Sequence, residues 1–202
     1  MAAYLLARVR CGFQKPSWLQ AYLIFQVADL VQGLVFEAMA HMGIRNQWLR
    51  HLIQPVILVG MLAVVYKIRP GSNRRRWYFV GMAGTGLAAA VTGYFINGIA
   101  FRNALFTSTQ SLIYLTISVL EMRHLLLSEN EKRMGASPEF WLYAALLTYA
   151  SGTLLFNASS NYFLQTLPPH LILIPWVVVG LVHATYHILM AKVFLCPTPT
   201  SS

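Results

Sequence analysis

Apolar and polar positions alternate along this chain on the scale of whole helices: six long apolar runs are separated by short polar connections. A helix needs about 20 apolar residues to cross a bilayer, and each run reaches that length. The spacing predicts span 1 over residues 18–41, span 2 over 49–68 with Pro55 in its first turns, and span 3 over 77–101. Span 4 covers 104–127, span 5 covers 140–164 and span 6 covers 171–195. The predicted fold class is therefore all-α, a polytopic membrane bundle of six transmembrane helices.

Polarity within the spans is arranged in stripes. At about 100° per residue, Tyr143, Ala150, Thr153, Asn157 and Asn161 of the stretch Pro138–Leu164 fall within roughly 80° of one another. Leu146, Leu147 and Leu155 are expected to point elsewhere. Amide side chains facing lipid would find no partners, so Asn157 and Asn161 are expected to face other helices or a wet cavity. Span 1 places Gln26, Asp29, Gly33, Glu37 and His41 within roughly 120° of arc, and span 4 places Thr107, Gln110, Ser111, Tyr114, Ser118 and Glu121 within roughly 100°. Span 6 places Trp176, Gly180, His183 and His187 within roughly 60°. Four stripes on four helices predict one shared polar interior, either a cavity or a closed hydrogen-bonded core. Span 3 differs: Gly86, Ala89 and Gly93 make a small-residue face suited to close packing.

Composition agrees with a membrane domain. Of 202 residues, 57% are hydrophobic and 10% charged, against about 25% charged in soluble domains; the mean hydropathy is +0.55. Residues 18–196 are read as one transmembrane domain, preceded by a short interfacial segment over 1–17 and followed by a disordered tail over 197–202. MAAYLLARVRCGFQKPS has its charges after its short apolar run, the reverse of a signal peptide. Two cysteines, Cys11 and Cys196, are too few for a disulfide framework.

The net charge of +9 would suggest nucleic acid in a soluble protein; here the loops account for it. With the N-terminus inside, twelve of the 15 basic residues lie on the inner side: Arg8, Arg10, Lys15, Lys67, Arg69, Arg74, Arg75, Arg76, Arg123, Lys132, Arg133 and Lys192. The remaining three, Arg45, Arg50 and Arg102, lie outside. Basic residues in short loops stay cytoplasmic, so both termini are expected inside. The run Arg74–Arg76 reads as a topology anchor that also meets anionic lipid.

Ionisable and amide groups within spans are functional candidates by default. The candidate ligand-lining set is Asp29, Glu37, His41, Gln110, Tyr114, Thr153, Asn157, Asn161, Trp176 and His183. No catalytic residue, cofactor or metal is expected. If a metal does bind, His183 and His187 are the ligands, because H-x-x-x-H puts both on one helix face. HATYHIL resembles the last span of the alkaline ceramidase and adiponectin-receptor superfamily of membrane zinc hydrolases. That superfamily also uses a histidine after a serine on an early span, an aspartate on the next and seven spans. Span 2 has no serine, and the chain's single aspartate, Asp29, is on span 1. The sequon at Asn157-Ala-Ser159 lies inside a predicted span and is not expected to be glycosylated.

A second resemblance rests on two blocks. One holds Glu37, Asn46, Trp48, Leu49, His51 and Pro55. The other holds Pro138, Phe140, Trp141, Tyr149, Ser151, Gly152, Thr153, Asn161 and Tyr162, followed by HATYHIL. Together they resemble an uncharacterised family of small polytopic inner-membrane proteins of Bacteroidetes-type bacteria, with kinship to the membrane sensory regions of histidine kinases. The resemblance implies a multi-pass inner-membrane location and supplies no catalytic residues. The expected function is a sensory or signalling-accessory membrane protein that binds a small or lipidic ligand within the bundle. Its expected partners are membrane lipids and a membrane protein such as a sensor kinase, and nucleic acid is not among them. The alternatives are a zinc-dependent membrane hydrolase and a structural subunit of a membrane complex.

Overall fold

The protein is seen here in a computed structural model that describes residues 17–44, 46–98, 102–128 and 135–196. Among these are six α-helices: α1 Ser17–His41, α2 Gln47–Ile68, α3 Asn73–Asn97, α4 Ala104–Ser128, α5 Pro138–Thr166 and α6 Pro169–Leu195. Each coincides with one predicted span. The largest shift is at α3, which begins at Asn73 rather than Trp77 and ends at Asn97 rather than Phe101. Ser72 keeps a non-helical backbone ahead of it. Gly98 ends it at φ 70°, a left-handed conformation that favours glycine, while its N–H still bonds the Tyr94 carbonyl at 2.9 Å. Phe101, the interfacial segment before Ser17 and the tail 197–202 lie outside the described residues.

Four helices, α1, α2, α3 and α6, are long and apolar enough to cross a membrane. The other two have the length, 25 residues in α4 and 29 in α5. At about 1.5 Å of rise per residue both exceed the roughly 30 Å of a hydrocarbon core. Their polar stripes lower their overall apolarity.

The chain divides into two compact units, and the boundary falls within α4, between Thr109 and Gln110. In the unit Pro16–Thr109, α1, α2 and α3 pack as an antiparallel meander. Phe25 of α1 lies against Gly60, where an added Cβ would come within 3.2 Å of the ring. Nearer the α1–α2 turn, the Arg50 guanidinium sits 4.8 Å over the Phe36 ring. Between α2 and α3, Tyr66 meets Phe79 at one end and His51 meets Tyr94 at the other, with ring centroids 5.7 and 5.8 Å apart. Tyr22, Leu58, Met61, Leu62 and Val65 fill the interior. The small face of α3 is covered as expected: Gly86, Ala89 and Gly93 are all buried.

In the unit Gln110–Ser202, α5 and α6 form a tight antiparallel hairpin across the turn at Leu167–Pro168. Trp176 packs edge-on against Phe156 at 4.9 Å, His183 stacks on Tyr149 at 5.3 Å, and the Lys192 ammonium lies 4.2 Å over Trp141. The closest approach is at Gly152, where a Cβ would meet Val182 Cγ2 at 2.6 Å. Lipid tails are as apolar as leucine, so helix association in a membrane depends on such packing and on interhelical hydrogen bonds.

Candidate functional site

In the unit Gln110–Ser202 the polar stripes of α4 and α5 meet. Gln110, Ser111, Tyr114, Ser118, Thr153, Asn157 and Ser160 are all buried. Asn157 Nδ2 donates to Ser111 Oγ at 2.9 Å, and Ser111 Oγ lies 3.4 Å from Thr153 Oγ1. Gln110 Nε2 donates to the Tyr114 hydroxyl at 3.1 Å, one turn along the same helix. The Tyr114 ring packs against Tyr149, which in turn carries His183 and Tyr186. Thr153 and Ser118 also return bonds to carbonyls of their own helices, Tyr149 O and Tyr114 O, each at 2.7 Å. Helices α4 and α5 thus share hydrogen-bonded polar groups, and α6 joins them through the ring contacts of His183 and Tyr186.

Most of the expected α5 face is here, with one correction. Leu146 does not point elsewhere; it is 1% exposed. It lies about 60° from Tyr143, inside the same arc, so the face is amide-rich and leucine-filled together. Leu155 is exposed, as expected. Asn161 is half-buried at the end of the stripe. On α6 the strip Trp176, Gly180, His183 and His187 is exposed, while Val179, Tyr186, Met190 and Val193 form the buried face beside it. His183 touches Tyr149 from the edge of that buried face, and the His187 ring lies against Tyr186. Among the described residues no three of His, Cys, Asp and Glu come together as a metal site would require.

At one end of this unit, Ser137 caps α5, accepting from Phe140 N–H at 3.4 Å while its hydroxyl donates to Glu139 at 2.6 Å. Cys196, a free cysteine just beyond α6, is half-buried nearby. Burial pushes its thiol pKa up, the Glu139 charge pushes it further up, and Lys192 partly offsets both.

The span 1 candidates belong to the other unit. Asp29 is half-buried, on the helix face that buries Trp18, Tyr22 and Phe36. Glu37 and His41 pair with each other at 3.2 Å, one turn apart, with side chains 72% and 79% exposed.

The same unit holds a polar site that the spans' stripes did not point to. Gln47, Arg50, His51 and Gln54 recur at i, i+3, i+4 and i+7, which puts them on one face of the first two turns of α2. Together with Arg102 and Asn103, from the segment leading into α4, they line a notch of about 10 Å³. Asn103 builds it. Its Oδ1 accepts the Phe106 N–H at 3.0 Å, as an N-capping side chain does. Its Nδ2 donates to the Ala90 carbonyl at 2.9 Å and reaches to within 3.5 Å of His51 Nδ1. Gly93 makes room for this, since a Cβ there would overlap the Asn103 amide. Pro55 lacks the N–H that would bond the His51 carbonyl, so the backbone also opens beside the notch. Arg50 Nε is buried with no hydrogen-bond partner among the described residues. The sequence signal was the Q-x-x-R-H-x-x-Q spacing; counted only as outer charge, Arg50 and Arg102 looked like loop residues.

No protein-family model matches this chain, and no curated protein or solved structure is significantly similar to it.

Proposed function

We propose that this protein is a six-span inner-membrane protein with both termini cytoplasmic, and that it works as a sensory or signalling-accessory component that binds a small or lipidic ligand. The distribution of basic residues supports the topology. Six spans, rather than the four most apolar helices alone, are supported by α4 and α5: the polarity that lowers their apolarity is buried on one face, leaving Leu112, Val119, Leu120 and Leu155 exposed for lipid. The resemblance to small polytopic inner-membrane proteins points to the same membrane and to a protein partner such as a sensor kinase.

The observation that carries ligand binding is the contrast in hydrogen-bonding capacity. The α4–α5 polar groups close on one another and read as interhelical glue. At the notch at the start of α2, the buried Arg50 Nε–H has no acceptor among the described residues. Binding is therefore assigned to the notch, and the buried network around Asn157 to holding the helices.

Two measurements test this reading. Reporter fusions at the C-terminus and at Pro168 should report opposite sides of the membrane; equal sidedness would remove the six-span topology. Native mass spectrometry of gently purified protein should find a co-purifying small molecule or lipid that is lost in an R50A/R102A double variant. Retention of that species by the variant would detach ligand binding from the notch.

A further inference from the structure

We infer that the notch takes a hydroxyl group of a polyol, one that accepts a hydrogen bond from Arg50 Nε–H and donates one to Gln32 Oε1; this rests on the reading of the notch as a ligand site. Arg50 Nε and Gln32 Oε1 are both buried, and neither atom has a hydrogen-bond partner among the described residues. One is a donor and the other an acceptor. They sit on facing helices. Phe25, Gln32 and Phe36 recur at i, i+7 and i+11, on one face of α1. That face meets α2: Phe25 lies against Gly60, and Phe36 lies under the Arg50 guanidinium. The antiparallel register set by these two contacts brings Gln32 opposite Ile53 and Gln54, about one turn of α2 from Arg50. Gln54 itself lines the notch.

A buried donor and a buried acceptor together select the ligand's chemistry. An ionised carboxylate or phosphodiester oxygen only accepts, so it would leave Gln32 Oε1 unmet. An ammonium group only donates, so it would leave Arg50 Nε–H unmet. A hydroxyl does both through a single oxygen. One helical turn rises about 5.4 Å, a span that one oxygen covers with two hydrogen bonds of about 2.7–3.0 Å. Size agrees. A notch of about 10 Å³ admits about one water-sized atom, whereas sites that engulf a small molecule run to about 300 Å³ or more. One hydroxyl enters, and the rest of the ligand stays at the mouth. There Gln47 and Gln54 are in the lining, and each amide carries an acceptor and two donors. Adjacent hydroxyls of one sugar ring match such amides. A glycolipid headgroup meets that description and so does a free sugar.

The test uses full-length protein in an amine-oxide detergent, whose headgroup has no hydroxyl. It is titrated separately with a neutral glucosyl diacylglycerol, with glucose and with phosphatidylcholine, which has no hydrogen-bond donor, and followed by native mass spectrometry and thermal shift. Wild type is expected to bind a glucosyl probe saturably, and phosphatidylcholine about tenfold more weakly or worse. Q32L and R50K should each weaken glucosyl binding about tenfold, the loss of one hydrogen bond; R50K keeps the charge and removes the Nε–H. Without ligand, Q32L should be at least as heat-stable as wild type, because it removes a buried acceptor that has no donor. A Gln32 that served only the fold would lower stability and leave the affinity of the folded protein unchanged. R76Q, at an exposed arginine of the same unit, should not change binding. Glucosyl diacylglycerol binding that millimolar glucose fails to displace identifies a lipid source. Displacement by glucose identifies the free sugar; both support the polyol site. Equal binding of phosphatidylcholine, equally sensitive to R50K, would overturn the hydroxyl assignment and leave the notch a ligand site. Folded wild type that binds neither glucosyl probe saturably would overturn it too, the two buried atoms then sharing an ordered water only. If neither Q32L nor R50K alters binding of any of the three probes while remaining folded, the notch reading falls as well.

Discussion

The two polar regions of this molecule use similar side chains to opposite ends. Around Asn157, amides and hydroxyls from α4 and α5 lie within reach of one another, and Ser111 serves both Asn157 and Thr153. Around Asn103, one buried amide spends its own capacity on a helix cap and on the Ala90 carbonyl, while the Arg50 Nε–H beside it has no acceptor among the described residues. A closed network in a membrane stabilises by supplying partners that lipid lacks. An open one is worth less to stability and is available to a ligand. Variants of the first region should therefore lose stability and keep binding; variants of the second should do the reverse.

The largest effect is expected at the helix contact that underlies the closed region. Gly152→Leu forces a side chain into Val182 and should cost about 3 kcal/mol, read as unfolding in mixed micelles, with no change in ligand binding at the notch in the folded fraction. A neutral Gly152→Leu would mean that the α5–α6 hairpin is loosely packed. Next comes Asn103→Asp, which keeps the capping oxygen but loses the donor to Ala90 and puts a negative charge in the notch. It should cost about 1–2 kcal/mol and change ligand binding at the notch, because Asn103 belongs to both sides of the comparison.

Asn157→Leu should cost about 1–2 kcal/mol by leaving Ser111 without its donor. Adding Ser111→Ala should recover much of that, since replacing both partners removes the unmet group. A double variant no better than the single would show that the pair is not coupled. The smallest effect concerns Cys196. Its thiol is held up by burial and by Glu139, so it should react with a maleimide more slowly than a free cysteine. Glu139→Gln should speed the reaction and Lys192→Gln should slow it further. For the same reason the folded protein binds this proton more firmly than the unfolded chain, so the contribution of Cys196 to stability declines as pH rises above the ordinary thiol range.

Helix positions were legible in the sequence because an apolar run long enough to span a bilayer is a strong signal; the end of α3 was placed too late, at Phe101, because the stop at Gly98 lies inside the apolar run. Faces were legible where periodicity sufficed: Thr153, Asn157, Gln110 and Tyr114 are buried as their stripes required. Leu146 was misplaced because a face is an arc, and an apolar residue inside the arc goes wherever the arc goes. The notch was harder. His51 and Asn103 are 52 positions apart, and periodicity says which residues share a face, never which residue from another segment lies opposite. Arg50 carried a competing explanation as a loop charge, and that explanation hid the i, i+3, i+4, i+7 pattern around it.

The most direct test of the contrast is an experimental structure of the protein purified in native lipid, at a resolution that shows bound groups. The account predicts non-protein density within hydrogen-bonding distance of Arg50 and Arg102, and none among Ser111, Thr153 and Asn157, whose side chains bond each other. Density inserted between Ser111 and Asn157 or seated against His183, with nothing at Arg50 and Arg102, would contradict it.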